Sequence, residues 1–117
     1  MAKTYTWTHE TYGPEGYITV TSEVKGPLYH GGGRDLREGD DIAPGRPTNP
    51  WGDEGDVSQW VHFTTRLEVA AAYAEQSGGE VFEVEPTGEF RMGYSGDEYK
   101  SREPLRVVRR LAPAEWK

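Results

Sequence analysis

The chain has 117 residues, no cysteine and a formal net charge of −7. That length fits one domain with a modest core. Without cysteine there are no disulfides, thiolate nucleophiles or zinc–thiolate centres, and the negative charge argues against a general nucleic-acid binder, which needs basic surface. No apolar run approaches the roughly 20 residues of a membrane span and no signal-peptide core opens the chain, so cytoplasm is the expected compartment.

Thr4–Thr11 and Tyr17–Glu23 alternate and are rich in Thr, Tyr, Trp, Ile and Val. With Gly13-Pro14-Glu15-Gly16 between them, they predict a β-hairpin. Val24–Gly32 predicts a third short strand that ends in glycines. Gly33–Trp60 is long, polar and rich in Pro and Gly, and such a stretch in a small domain is usually functional or mobile. Val61–Thr65 predicts a short apolar strand. Thr65-Arg66-Leu67-Glu68 then reads as a capping box opening a helix over Leu67–Gln76, with Leu67, Ala71 and Ala74 on one face. Gly78-Gly79 ends that helix. Glu80–Glu85 alternates apolar and acidic residues as a half-buried strand stopped by Pro86, and Pro104–Leu111 predicts a last strand. Five or six short strands and one helix describe an α+β domain. With no linker or repeat, residues 1–117 read as a single domain.

Four segments carry side chains that chemistry could use. In Leu28-Tyr29-His30-Gly31-Gly32, an imidazole stands at a strand end beside glycines that let a ligand approach the main chain. Taken alone, a solitary His is more often an ordinary core or surface residue. In Val61-His62-Phe63-Thr64-Thr65, Phe63 could floor a planar ligand and the helix N-terminus could face an anion. The plain alternative there is a strand-to-helix junction with Phe63 in the core. In Asp40–Asn49 the adjacent acids diverge along an extended chain, so nothing reads as a metal site. In Gly93–Pro104, Asp97, Glu98 and Glu103 are candidate acids, and Lys100 and Arg102 candidate partners of phosphate or carboxylate, against the default of a solvated charged loop.

From Lys100 to Lys117 six basic residues face two acidic ones, a local +4 that leaves −11 for the rest. Such a basic edge either holds a diphosphate or is a solvated strand face. No G-x-G-x-x-G, Walker loop, G-x-S-x-G or H-E-x-x-H is present, which removes the main support for dehydrogenase, kinase, serine hydrolase and zincin readings.

In this order, LYHGG (Leu28–Gly32), L-x-x-GDDIAPGRPTN (Leu36–Asn49), VHFTT with its Ala-rich helix (Val61–Ala74), GEVFEVEPTGEF (Gly79–Phe90) and YKSREPLRVVRRL (Tyr99–Leu111) resemble the rifampin ADP-ribosyltransferase (Arr) family. They cover about 80 residues and leave residues 1–24 outside as an extra hairpin. The resemblance implies the ADP-ribosyltransferase fold, with NAD held in a cleft of a split sheet beside one main helix. It implies an NAD-dependent mono-ADP-ribosyltransferase, a glycosyltransferase in reaction type, acting on a small-molecule or protein acceptor.

By the same resemblance, His30 holds a ribose hydroxyl, Gly31 grips the nicotinamide carboxamide through the main chain with Gly32 beside it in the NAD-binding set, and Phe63 stacks on nicotinamide where the family has Tyr. Thr64, Thr65 and Asn49 complete the NAD-binding set. The family's acid would fall near Arg91–Gly93, where this chain has Arg91, Met92 and Gly93. Asp97, Glu98 or Glu89 is therefore the expected substitute, Asp97 first. A second reading stays open, an NAD- or ADP-ribose-binding or protein-interaction module on the same fold. The aromatic hairpin, with Tyr5, Trp7, Tyr12 and Tyr17, would then serve as an interface.

Overall fold

The computed structural model describes residues 3–33, 35–43, 60–92 and 98–117. Strands β1 (Thr4–Gly13) and β2 (Gly16–Lys25) pair antiparallel over their whole length, from Thr4↔Lys25 to Gly13↔Gly16. The hairpin turns through Pro14 and Glu15, with Gly16 at φ 113°. The other strands are β3 (Leu28–Gly31), β4 (Asp41–Ile42), β5 (Val61–Thr64), β6 (Val81–Pro86), β7 (Phe90–Met92), β8 (Glu98–Ser101) and β9 (Leu105–Arg110). They form one seven-stranded sheet in the order β4-β9-β6-β3-β5-β8-β7, and every pairing in it is antiparallel. Helix α1 (Leu67–Ser77) lies on β3, and a single turn, α2 (Pro113–Trp116), follows β9.

This arrangement corrects the α+β, split-sheet expectation. Strands hold 53% of the described residues and helices 16%, and the strands join in one continuous antiparallel sheet plus the hairpin. The architecture is β-rich. The sequence undercounts strands because β4, β7 and β8 are two to four residues long. At that length alternation cannot register.

The expected capping box does not form either. Arg66 sits at the N-cap with no side-chain cap bond, so Glu68 is the second helical residue and falls one short of the position from which a box reaches back. Instead the Arg66 N–H donates to Thr64 Oγ1 at 3.1 Å and its guanidinium pairs with Glu68 at 2.6 Å. Gly78 ends the helix at φ 67°, and the Gly79 N–H donates to the Ala74 carbonyl at 2.9 Å.

The sheet buries both faces. Leu28, Phe63, Phe82, Val84, Phe90, Tyr99, Leu105 and Val107 form the larger core, which Val24, Tyr5 and Trp7 of the hairpin join. On the other face Ala70, Ala71 and Ala74 of α1 meet Val81 and Leu111. Small alanines and a glycine on β3 let helix and strand approach closely. A Cβ built on Gly31 would lie 1.8 Å from the Ala70 carbonyl oxygen.

The basic C-terminal strand is a solvated ion-pair ladder. Arg106 pairs with Glu85 at 3.5 Å, Arg109 with Glu83 at 3.3 Å and with Glu115 at 2.9 Å, and Arg110 with Glu80 at 3.5 Å. Glu83 and Glu85 of β6, Glu80 just before it and Glu115 of α2 supply the acids. Exposed pairs of this kind contribute little singly, about 0–1 kcal/mol each.

Candidate functional site

The seam between β3 and β5 is the thinnest in the sheet. One residue pair, Tyr29↔Thr64, bridges it, whereas β3 pairs with β6 through four. A cavity of about 480 Å³ opens beside the seam, walled by β3, β5, α1 and by Gly33, Leu36, Ile42 and Ala43.

His30 is fixed at the cavity wall by a specific bond. Its Nδ1 lies 2.6 Å from the His62 carbonyl oxygen. A carbonyl can only accept, so Nδ1 carries the hydrogen. Successive N–H groups along a strand point to opposite edges. The Gly32 N–H donates to Glu80 on the β6 side at 2.9 Å, so the Gly31 N–H is directed to the β5 side, where strand pairing has ended. Gly32 itself takes φ 124°, a conformation that glycine alone adopts without strain, and a Cβ placed there would stand 3.9 Å from His30 Nε2.

Along β5 the side chains alternate. Val61 and Phe63 enter the core, while His62 stays accessible on the opposite face. Phe63 is the residue expected to stack on nicotinamide. The residue borders the cavity, but its ring is only 2% exposed. It lies face to face with Tyr99, centroids 5.5 Å apart at 17°, and edge-on to Phe90 at 6.0 Å. Thr64 lines the cavity, and its hydroxyl accepts the Arg66 N–H. Thr65 is not among the lining residues. Glu98, at the start of β8 opposite Thr64, does line it. Asp97 and Asn49 lie outside the described residues.

Lining residues to which the sequence assigned no role include His62, Tyr73 and Trp60. Period-2 alternation from a buried Phe63 was the signal for His62. Tyr73, 52% exposed, stands three residues after Ala70 on α1. Burial, and then the Glu98 carboxylate that its hydroxyl faces, push its pKa up. Tyrosine and carboxylate thus form a polar pair across the mouth of the cavity.

The sequence model of the family Arr-ms, rifampin ADP-ribosyl transferase, matches residues 28–116. The chain belongs to this family. No curated protein matches the chain. The match begins at the first residue of β3, past the hairpin, and takes in every described residue that lines the cavity. Among the described residues, no helix is long and apolar enough to cross a membrane.

His62 also makes a pH prediction. Protein crowding the ring lowers its pKa, Glu98 partly offsets this, and Lys100 adds to it. A folded-state pKa below the unfolded value of about 6.5 means that the unfolded chain binds more protons. His62 therefore opposes folding as pH falls below about 6.5, and its contribution is neutral above that. The melting temperature of wild type is expected to drop more between pH 7 and pH 5.5 than that of His62→Gln. Parallel curves for the two proteins would contradict this.

Proposed function

We propose that this chain is an NAD-dependent mono-ADP-ribosyltransferase that acts on a hydroxyl or other nucleophile of a small-molecule or protein acceptor. The observation that carries the reading is the gathering, in one cavity of a rifampin ADP-ribosyl transferase family member, of an oriented imidazole, a glycine main chain and a carboxylate. The cavity volume falls in the range of small-molecule and cofactor sites. Gly32 leaves open the space beside His30 that a side chain would fill.

Bound NAD supplies ADP-ribose when its bond to nicotinamide breaks. His30 Nε2, set by the Nδ1–H bond to His62, accepts from a ribose hydroxyl. The Gly31 main chain faces the carboxamide. Glu98 places negative charge where positive charge grows at the ribose carbon, and it can take the proton that the acceptor loses. Tyr73 faces that carboxylate from α1. Phe63 supports β5 from the core.

Mass spectrometry of free nicotinamide, after incubation with NAD beside a His30→Ala control, tests the proposal. Release by wild type that falls at least tenfold in the variant is the expected result. No release by wild type, with NAD still bound, would leave a binding module and overturn the transferase reading.

A further inference from the structure

Trp60 stands at the rim of the cavity, one residue before β5, with cations gathered over its ring. Lys100 Nζ and Arg102 Cζ each lie 4.5 Å from its centroid, and Arg91 Cζ lies 6.0 Å away. We infer that Lys100 and Arg102, braced on Trp60, form the subsite for the phosphates of the dinucleotide donor. This rests on the transferase reading above.

Register sets the placement. Lys100 lies opposite His62 on β5 and Arg91 on β7, while the intervening Tyr99 and Ser101 are buried. Alternation therefore puts Glu98 and Lys100 on one face of β8, the face of His62. The same step of two carries on to Arg102, just past the strand end. At about 3.3–3.4 Å per residue, the carboxylate and the first cation are about 7 Å apart along the strand. One end of this row suits growing positive charge at a ribose carbon, and the other suits the phosphates esterified at the 5′ carbon of that ribose.

Charge points the same way. Arg106, Arg109 and Arg110 are committed to glutamates, and Arg91 to Glu89 at 2.9 Å. Among the described residues no carboxylate lies within salt-bridge distance of Lys100 or Arg102. The two cations lie over one ring, so they are at most twice 4.5 Å apart and repel each other. In a chain of net charge −7, that pairing makes a local positive site, which a diphosphate would neutralise.

The test is calorimetric titration of the full chain with NAD and with nicotinamide riboside, which lacks phosphate, using wild type and the double variant Lys100→Ser/Arg102→Ser. NAD affinity is expected to fall at least tenfold in the variant while riboside affinity stays within twofold. Added salt is expected to weaken NAD binding to wild type alone. Unchanged NAD affinity in the variant would overturn the subsite and leave the transferase reading standing. Equal weakening of both ligands would also overturn it, by marking a structural effect. Wild type that binds neither ligand would remove the transferase reading itself. If the double variant melts early, Lys100→Gln provides the same comparison with a single charge lost.

Discussion

Gly31→Ala is expected to cost about 3 kcal/mol or more, beyond the usual overpacking range of about 1–3 kcal/mol. The added methyl would stand 1.8 Å from the Ala70 carbonyl oxygen, 2.7 Å from the Ala70 carbonyl carbon and 3.0 Å from the Ala74 nitrogen. All three are backbone atoms of α1, so no rotamer change relieves the clash, and the whole helix must move off the sheet. Movement would break the contact of Ala70, Ala71 and Ala74 with Val81 and Leu111, which is the smaller core. For a domain of this size the melting temperature should fall by roughly 10 °C or more. Gly13→Ala is the control, because its Cβ would meet only ordinary contacts at 3.4–3.6 Å. A Gly31→Ala protein that melts within 2 °C of wild type would contradict the packing. It follows that Gly31 answers first to helix packing, and any grip on a ligand is a second use of the same bare backbone.

Glu98→Gln is expected to slow nicotinamide release by about 10²–10³-fold, roughly 2.7–4 kcal/mol of barrier, by analogy with the loss of one preorganised stabilising group. The amide keeps size and hydrogen bonding but removes the charge, so NAD affinity should stay within a few fold. Glu89→Gln is the comparison. That carboxylate is 2.9 Å from the Arg91 guanidinium and is not among the residues lining the cavity, so its rate should hold. A Glu98→Gln enzyme at wild-type rate would remove Glu98 from the chemistry and direct attention to Asp97.

Much of the chain could be read from residue types. The hairpin, β6 with its acidic alternation, the α1 span and its glycine stop all follow from period and turn chemistry, with boundaries moved by one or two residues. The class did not follow. Ile42, Phe90 and Tyr99 each sit in strands so short that neighbours across the sheet, not local pattern, make them strands. The place of His30 at a strand end before glycines was legible from residue types, and the structure puts it on the cavity wall. It was illegible where the facing direction decides. VHFTT contains two rings one residue apart, and only the pairing of β5 between β3 and β8 shows that Phe63 turns inward and His62 outward. Tyr73 and Glu98 are 25 residues apart in sequence and meet only because α1 and β8 flank the same cavity.

The cavity beside the β3–β5 seam is proposed to take the donor through His30. Calorimetric titration with intact NAD, on wild type and on His30→Ala, tests it most directly. The expected result is saturable binding by wild type that weakens at least tenfold in the variant, with both proteins melting within a few degrees of each other. Equal affinity in the two proteins would place the donor elsewhere and contradict the account.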